Sequence, residues 1–421
     1  MSGLRITEPL TLKCGLTLPN RLCKAATGEG LGDKDQLPNK KHLALYGTWA
    51  DGGWGMVLTG NVMVDIIHMG SPNDVAIDDD LPAETTLSAF RAYAQACNRA
   101  NTPTIVQICH PGRQSPMGAG RRGLMAKTVA PSAVPMKLGP GLLAWAAGAL
   151  MFGTPRALEV NEIEAIVAKF ARTARITAEA GFAGVELHGA HGFLLAQFLS
   201  AQSNRRTDAY GGSAAKRAKI VVDVIKAVRA ATPKGFCVGI KLNSVDHQEG
   251  AELDACIEQL RLITDAGVDF VEISGGSYED PPMANGSAKK SARTQAREAF
   301  YLEFASRIRS QFPGVHLMVT GGFRSRNGLE AAVTSGDCDL VGIARPAIIN
   351  PSLPKNIVFN PEVKDQDATL FRKTVPIPWL LRQLSSIRFV GAGVDNVWYQ
   401  GNIKDTVNAV LAGLPKTVVT A

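Results

Sequence analysis

This sequence lacks several features that would point away from an ordinary globular enzyme. Its seven cysteines form no C-x-x-C pair, so neither a familiar zinc site nor a disulfide framework is indicated, and a reducing compartment is favoured. The longest apolar run, GLLAWAAGALMF at 141–152, is too short to cross a bilayer. The first residues lack the apolar core of a secretory signal. We therefore expect a cytoplasmic protein without a membrane segment.

A concentrated basic surface is also absent, although the net charge is +7. Lysines and arginines are scattered along the chain, and aromatic residues make up only 6% of it. Nucleic-acid surfaces usually gather basic residues on one face together with stacking aromatics. The surplus of positive charge is better suited to an anionic cofactor, so we expect small-molecule ligands and no nucleic acid. The sequence leaves monomer and homodimer open.

Eight short, β-rich apolar runs recur through the chain, each closely followed by a polar or glycine-containing turn. Their apolar character is nearly continuous, which is typical of strands that are buried on both faces. They lie at 21–26, 55–60, 104–109, 184–189, 237–242, 270–275, 316–321 and 340–345.

Segments with helical periodicity separate these runs. They lie at 87–100, 160–181, 215–231, 253–267, 296–312 and 326–336. In each, apolar residues recur at spacings of three and four. Eight strands with helices between them predict an α/β protein, a (β/α)8 TIM barrel rather than a doubly wound sheet.

Three irregular regions complete the predicted architecture. Residues 4–20 indicate a β-hairpin that caps the lower end of the barrel, and residues 111–158 indicate a lid inserted after the third strand. We expect one barrel domain over 1–351 and a helical extension over 352–421, packed on its outside. The lid carries bulky apolar residues, which indicate either an apolar ligand or packing on the barrel: Met117, Met125, Met136, Leu142, Leu143 and Trp145.

Polar residues follow the predicted strands at the barrel end where active sites lie. "TGGFRSR" after the seventh strand and "GIARP" after the eighth combine two glycines with Arg345. Glycine lets backbone N–H groups close around an anion, and arginine adds a charged fork. This combination favours a phosphate site over a tight turn with a solvated arginine.

His188 and His191 follow the fourth strand, three residues apart. They could bind a metal, but no carboxylate is spaced to complete a familiar ligand set, so we expect none. They could be structural histidines. Alternatively, both could donate hydrogen bonds to one substrate oxygen, in the manner of an oxyanion hole.

The segment HGAHGFLLAQFLSAQSNRRTDAYGGSAAKRA (188–218) resembles the signature of the flavin oxidoreductases related to old yellow enzyme. These ene-reductases hold FMN in a (β/α)8 barrel. LPNRLCKAA, VQICHPGRQ, GIKLNSVD and VTGGFRS…DLVGIARP match the family at further strands, so the resemblance runs from about residue 5 to 350. The tail after 352 is not covered well.

The resemblance implies an FMN-dependent oxidoreductase that uses NADH or NADPH. In such an enzyme, hydride passes from flavin N5 to the β-carbon of an α,β-unsaturated carbonyl compound. His188 and His191 would hold the carbonyl oxygen. Positions implied to contact FMN are Ala26, Thr27, Gly28, Gly60, Asn61, Gln107, Lys241, Gly321, Gly322, Phe323, Ala344 and Arg345.

Two positions depart from the family pattern. Gly28 stands where Thr or Cys usually tunes the flavin. Phe193 stands where a tyrosine usually delivers a proton, and phenylalanine has none to give. Water or another hydroxyl, with Tyr278 the nearest by sequence, could replace that donor and leave net reduction as the preferred outcome. Isomerisation without net redox change and desaturation stay open.

A different class of enzyme also fits a phosphate-binding barrel. In an aldolase or isomerase without flavin, Lys241 would be the Schiff-base nucleophile. A visible spectrum separates the two classes, because bound FMN is yellow and such a barrel is colourless.

Overall fold

The computed structural model describes residues 3–123, 125–244, 251–276, 279, 302, 304–382, 384, 387 and 390–414. Its centre is a closed barrel of eight parallel strands, because the first barrel strand pairs with both the second and the last. Numbered in chain order with the short strands included, the barrel strands are β3 (Leu22–Lys24), β4 (Met56–Met63), β6 (Thr104–Cys109), β9 (Gly184–Gly189), β10 (Cys237–Asn243), β11 (Phe270–Ser274), β12 (His316–Thr320) and β13 (Leu340–Ile343). All eight predicted runs are confirmed, with ends shifted by at most a few residues.

Twelve helical segments surround the barrel or extend from it, within the described part of the chain. They are α1 (Lys40–Ala50), α2 (Ala83–Cys97), α3 (Gly141–Met151), α4 (Val160–Ala180), α5 (Leu194–Leu199), α6 (Ala214–Ala231), α7 (Ala251–Asp265), α8 (304–311), α9 (Arg326–Thr334), α10 (Arg345–Ile349), α11 (Trp379–Arg382) and α12 (Val390–Leu411). The segment predicted at 296–312 lies partly outside the described residues. No described helix is long and apolar enough to span a bilayer.

Helix α4 shows how local sequence sets the helix boundaries. Glu159 and Glu162 form a capping box at its start, so two backbone N–H groups find acceptors. Gly181 ends it with φ of 96°, a left-handed conformation that glycine adopts at low cost. The buried face of the helix contains Ile163, Ile166 and Phe170, which join the same apolar cluster as the outward residues of the strands. This packing holds the wall of the barrel in place.

Alternation along each strand divides the side chains between two environments. On β9, Val185 and Leu187 belong to the layer between strands and helices, whereas Glu186 and His188 occupy the opposite, inner face. At the lower end the inner face is apolar. The polar inner residues are thus confined to the middle and the mouth of the barrel.

The predicted hairpin cap is confirmed. Strands β1 (Leu10–Thr11) and β2 (Thr17–Leu18) pair antiparallel. Leu12 and Leu18 are buried in one cluster with inner residues of seven barrel strands, including Met56 and Phe270. The hairpin closes the lower end with apolar side chains, so ligands must enter from the other end.

Part of the lid packs against the C-terminal extension. It contains α3 and the short parallel strands β7 (Val129–Ala130) and β8 (Arg156–Ala157), while β5 (Val75–Ala76) lies earlier, beside β4. Met136 and Ala144 are buried with Ile387 of the extension. The other bulky lid residues singled out above are exposed: Met117, Met125, Leu142, Leu143 and Trp145. Of the six bulky lid residues, only Met136 is therefore explained by packing inside the protein.

The extension contains a longer helix than its sequence indicates. Periodicity at 405–413 predicts a short helix, but α12 begins at Val390 and ends at Leu411. Its Tyr399, Ile403 and Val407 are buried, and the helix packs against α1 and α10 of the barrel. Helix α12 thus lies against the outer helices of the barrel, while the division into a barrel domain over 1–351 and an extension over 352–421 stays a prediction. All seven cysteines are free thiols, which fits a reducing compartment; the cytoplasmic location itself stays a prediction.

Candidate active site

The two histidines predicted from the sequence lie together at the barrel mouth. Their ring centroids are 5.1 Å apart and the rings are nearly perpendicular. His188 is the second-to-last residue of β9, and its side chain is buried. His191 adopts φ of 55°, a left-handed conformation that is energetically unfavourable for a residue with a Cβ. Such strain is often kept where a side chain must point in one direction.

Hydrogen bonds fix the orientation of both rings. The N–H of Ala190 donates to His188 Nδ1 (3.3 Å), so the neutral ring carries its proton on Nε2. His191 Nε2 lies 3.1 Å from the hydroxyl of Ser274, and its backbone N–H donates to Asn243 Oδ1 (3.0 Å). Strands β10 and β11 thus hold the turn that carries His191.

Both histidines are uncharged at neutral pH. Burial, aided by the neighbouring His191 and Lys241, holds the pKa of His188 well below its usual value. Burial and the charge of Lys241 lower the pKa of His191 to about 4. The pair can therefore donate hydrogen bonds to a ligand without being a pair of cations.

Phe193 packs directly on this pair. Its ring centroid is 4.3 Å from that of His188, and its side chain is buried with Met63, Met69 and Cys109. The residue two positions after His191 therefore lies beside the histidine pair, and as a phenylalanine it has no proton to donate.

A charged layer lies beneath the histidines, on the inner face of three strands. Lys241 Nζ is 3.1 Å from Glu272 and 3.8 Å from Glu186, and Gln107 Nε2 donates to Glu186 (2.5 Å). Burial opposes the charge on Lys241, but Glu272 and Glu186 outweigh it and raise the pKa of Lys241. Burial and Glu272 raise the pKa of Glu186 well above its usual range. A permanently charged lysine is a poor Schiff-base nucleophile, which counts against the aldolase alternative.

The ends of β12 and β13 form the predicted anion cradle. Gly321 and Gly322 have φ of 125° and 88°, so their backbone occupies a region that favours glycine. A cavity of about 70 Å³ is lined by these glycines, Phe323, Ala344 and Arg345. Burial and nearby Arg372 lower the pKa of Arg345 only to about 10, so it stays cationic.

Two arginines of this cradle were not identified from the sequence. Arg324 belongs to the quoted "TGGFRSR" motif, whereas Arg372 comes from the extension; both line the same cavity. Asp395 of α12 also reaches it, 3.5 Å from Arg345, and Arg345 lies over the ring of Tyr399. The only available signal for Arg372 was a basic residue in the poorly matched tail, because the contact is made across distant parts of the chain.

Residues directly after β3 and within β4 form the side wall, so Gly60 and Asn61, expected after the second strand, lie inside it. Ala26, Thr27 and Gly28 follow β3, and Gly28 is exposed. Asn61 is opposite Gln107 in the strand register. A Cβ at Gly60 would overlap Glu29, whose carboxylate accepts hydrogen bonds from the Gly60 N–H (2.9 Å) and from Tyr46.

Lys24 and Glu29 are buried polar residues that the sequence reasoning missed. Lys24 Nζ donates to Leu58 O (3.0 Å) and to Thr27 Oγ1 (3.1 Å), and it lies over the ring of Trp49. Burial lowers the pKa of Lys24 to about 7. A lysine inside an apolar strand was the available signal. Tyr278, singled out as a substrate contact, lies outside the described residues.

A second histidine cluster lies at the rim, which we name the rim network: Asp65, His68, His110 and Lys169. Asp65 Oδ2 is 3.1 Å from His68 Nδ1 and 3.7 Å from His110 Nε2. Lys169 is 3.1 Å from the other carboxylate oxygen. The three acidic and imidazole groups have metal-like spacing, but a cation already lies against the carboxylate.

The site has the features that FMN requires. Glycines and cations surround a phosphate-sized cavity, while Gln107 and Lys241 can meet a polar ring edge. Within the described residues, Glu186 Oε1 and Thr320 Oγ1 are buried without a hydrogen-bond partner, so the site contains polar atoms that a ligand could satisfy.

Comparison with known proteins decides the family. The model of the NADH:flavin oxidoreductase / NADH oxidase family matches residues 5–361. The chain belongs to this family. It is therefore an FMN-dependent oxidoreductase that uses a reduced nicotinamide, and the resemblance read from its motifs is confirmed.

Fungal relatives extend the similarity into the extension. The chain is 54% identical to the NADH-dependent flavin oxidoreductase iliE of Neonectria sp. (strain DH2) over 95% of its own length, but it spans only 54% of that relative. It is 50% identical to the NADH-dependent flavin oxidoreductase iccE of Talaromyces variabilis, over 96% of this chain and 98% of that one.

Solved structures confirm the fold. Morphinone reductase aligns with a TM-score of 0.69 at 24% identity, over 89% of this chain and 92% of that chain. The old yellow enzyme homologue from Zymomonas mobilis gives a TM-score of 0.69 at 22% identity, over 86% and 94%. Both are (β/α)8 neighbours of the barrel described above.

Proposed function

We propose that this enzyme acts on α,β-unsaturated carbonyl compounds, with NADH as the electron source and net reduction of the C=C bond as the main outcome. The observation that carries the proposal is the pair of neutral histidines, His188 and His191, above the Gln107 and Lys241 layer. NADH is preferred over NADPH because relatives of high identity are named NADH-dependent.

Separate groups of residues would hold the two ends of FMN. Gly321, Gly322, Phe323, Ala344 and Arg345 would hold the phosphate of FMN. Gln107 and Lys241 would meet the pyrimidine edge, where the lysine charge favours negative charge on the ring. Ala26, Thr27, Gly28, Gly60 and Asn61 would form the wall along it. When bound, FMN supplies hydride transfer between nicotinamide and substrate.

The substrate carbonyl oxygen would lie between the two histidines. His188 would donate from Nε2, and His191 would donate from Nε2 to a ligand oxygen that takes the place of the Ser274 hydroxyl. Their hydrogen bonds strengthen as negative charge develops on the oxygen, which lowers the barrier at the β-carbon. One such donor contributes about 2.7–4 kcal/mol. The hairpin-plugged lower end keeps water from reaching the site from below.

A redox-neutral isomerisation is the second candidate, and Phe193 favours it. Without the tyrosine hydroxyl, protonation at the α-carbon is slower, since a general acid typically contributes about 10²–10⁴-fold. The former C=C bond is single in the enolate, so rotation about it before a hydride leaves the β-carbon again would give the E/Z isomer with no net consumption of NADH.

Product analysis tests both candidates. The purified yellow protein is incubated without oxygen with a panel of cyclic and open-chain enones and a limiting amount of NADH. One saturated product per NADH supports reduction, whereas rearranged product in excess over NADH supports isomerisation. A colourless protein that stays colourless after reconstitution with FMN, or an absence of any product, contradicts the proposal.

A further inference from the structure

We propose that Glu29, together with Lys24 and Tyr46, is a positioning residue for FMN, because it holds an irregularity in strand β4 that turns Asn61 toward the cofactor. The inference rests on the proposed placement of FMN at the barrel mouth. It gives a role to three buried polar groups that the proposed mechanism does not use, since none of the three is more than 6% exposed. We name Lys24, Glu29 and Tyr46 the bulge network.

The irregularity is an extra residue in β4. Leu58 is paired with Ile105 of β6, but the next paired residue of β4, Asn61, is opposite Gln107. Two residues of β4 therefore stand opposite one residue of β6, which defines a β-bulge. Bulges are rare between parallel strands, and they are enriched next to active sites, where they re-aim a side chain.

The bulge reverses the alternation of side chains along β4. Val57 and Val62 both belong to the layer between strands and helices, whereas Met56 and Leu58 are buried inside the lower barrel. In an uninterrupted strand, two residues that are five positions apart face opposite sides. Asn61, next to the outward Val62, therefore faces the barrel interior. Without the bulge it would face the helices.

Backbone groups at the bulge bond to the buried side chains of the network. The Gly60 N–H donates to Glu29 Oε1 (2.9 Å) and to Tyr46 Oη (2.7 Å), and the Tyr46 hydroxyl donates to Glu29. Lys24 Nζ donates to the carbonyl oxygen of Leu58 (3.0 Å). A buried backbone N–H without a partner is costly, so these acceptors favour the bulged strand over a regular one.

The same network connects the bulge with the residues that follow β3. Lys24 Nζ also donates to Thr27 Oγ1 (3.1 Å). A Cβ at Gly60 would overlap Glu29 and lie 2.5 Å from the carbonyl oxygen of Thr27. Both parts of the proposed flavin wall, the segment after β3 and the segment within β4, are thus fixed relative to each other.

Asn61 is well placed to meet the polar edge of the flavin. It is the strand partner of Gln107, which was assigned to the pyrimidine edge. Within the described residues the Asn61 side chain makes no hydrogen bond, so its amide offers donors and an acceptor to a ligand. Because hydrogen bonds to the ring tune its electronic state, a displaced Asn61 would change both the affinity for FMN and its reduction potential.

The assignment is tested with the wild type, Glu29→Ala, Glu29→Gln, Asn61→Ala and the double variant of Glu29→Ala with Asn61→Ala. The FMN-free protein is titrated with FMN while flavin fluorescence is followed, and the reduction potential of bound FMN is measured against a reference dye. We expect Glu29→Ala to weaken FMN binding by about 10–100-fold, as when a partner that orients a metal ligand is removed. Glu29→Gln should retain most of the affinity, because its amide oxygen can still accept from Gly60.

Asp269→Ala is the matched control. Asp269 is also buried, and it accepts a hydrogen bond from a strand N–H, that of Val238 (2.7 Å). It lies directly before β11, at the closed lower end of the barrel. Its removal should lower the melting temperature, while the affinity for FMN and the reduction potential stay at the wild-type values.

Two further measurements separate positioning from stability. The double variant should bind FMN no more weakly than the weaker of its two single variants, because Glu29 acts through Asn61 and the two losses do not add. In the FMN-free protein, hydrogen exchange at the Gly60 amide should be faster in Glu29→Ala than in Asp269→Ala. Tyr46→Phe, which removes only a hydroxyl group, takes the place of Glu29→Ala if that variant does not fold.

Three results would overturn the assignment. A folded Glu29→Ala with wild-type affinity for FMN and unchanged potential shows that Glu29 does not position the cofactor. Additive losses in the double variant show that it does not act through Asn61. Equal loss of FMN in Asp269→Ala attributes the effect to stability alone. A wild type that binds FMN but converts no enone contradicts the proposed substrate class instead, and the FMN measurements still decide the assignment of Glu29.

Discussion

Two histidine pairs at the barrel mouth differ in what their nitrogen atoms face. The active-site pair, His188 and His191, is held by a backbone N–H and a hydroxyl group. In the rim network, His68 and His110 face the carboxylate of Asp65, which Lys169 also neutralises. Residue type and burial are similar, so the partner decides what each pair can do.

The carboxylate turns the rim network into a structural element. Burial alone would raise the pKa of Asp65, but hydrogen bonds from His110 and His68 and the charge of Lys169 hold it far below its usual range. His68 Nδ1 and His110 Nε2 thus face a carboxylate oxygen inside the protein, at 3.1 and 3.7 Å. Within the described residues the active-site pair makes no ion pair with a carboxylate, and His188 Nε2 is left for a ligand.

The largest expected effect comes from removing the active-site pair. His188→Ala together with His191→Ala should lower kcat/KM for an enone by at least about 10³-fold, since a single oxyanion donor contributes about 10²–10³. Bound FMN absorbance and the melting temperature should change little, because neither ring is part of a charge network. A variant that keeps enone turnover would show that the pair is structural after all.

Asp65→Asn should lower stability and leave turnover unchanged, which is the opposite of what we expect for the histidine double variant. The substitution leaves Lys169, whose side chain is 30% exposed, without its carboxylate. Because water partly solvates that charge, we expect a cost of about 1–3 kcal/mol, below that of a fully buried pair. Urea denaturation measures this loss of unfolding free energy, and turnover per bound flavin at 25 °C should be unchanged. Arg91→Gln, which removes an exposed ion pair with Glu84, should cost no more than about 1 kcal/mol. If Asp65→Asn abolishes turnover without loss of stability, the inference that the rim network is structural and the active-site pair functional is wrong.

The smallest expected effect is the loss of stability at acid pH that comes from His191. The pKa of His191 is lowered to about 4, while an unfolded histidine titrates near 6.5. The unfolded state therefore binds more protons below pH 6.5, so the free energy of unfolding falls as pH falls from about 6.5 to 4, by up to about 1.4 kcal/mol per unit. His191→Gln should lack this component in urea titrations at pH 7, 6 and 5. Equal slopes for the two proteins would show that His191 is not held neutral.

The sequence predicted the barrel because each strand carries its own signal. A run such as TIVQIC at 104–109 is apolar on both faces, and the strand has the same bounds in the structure. His188, His191, Gln107 and Lys241 follow from strand ends, since the carboxyl ends of parallel strands must meet. The predicted roles of these residues at the cofactor and substrate stay predictions.

Other parts of the site depend on contacts that no local pattern encodes. Asp65 and His110 come from different strand ends, and Lys169 comes from a helix far along the chain. Arg372 reaches the anion cradle from the extension. In each case the sequence shows an ordinary polar residue, and its meaning comes from a neighbour tens or hundreds of residues away.

The position of Arg372, Asp395 and Tyr399 has a consequence for biosynthesis. The eight strands are complete once residue 343 has left the ribosome, and the barrel can close then. The groups that line and buttress the proposed phosphate cradle are translated later, from the extension. If these groups hold the phosphate as proposed, stable capture of the flavin would come last, and a nascent chain arrested shortly after the eighth strand would be a closed barrel that retains FMN poorly.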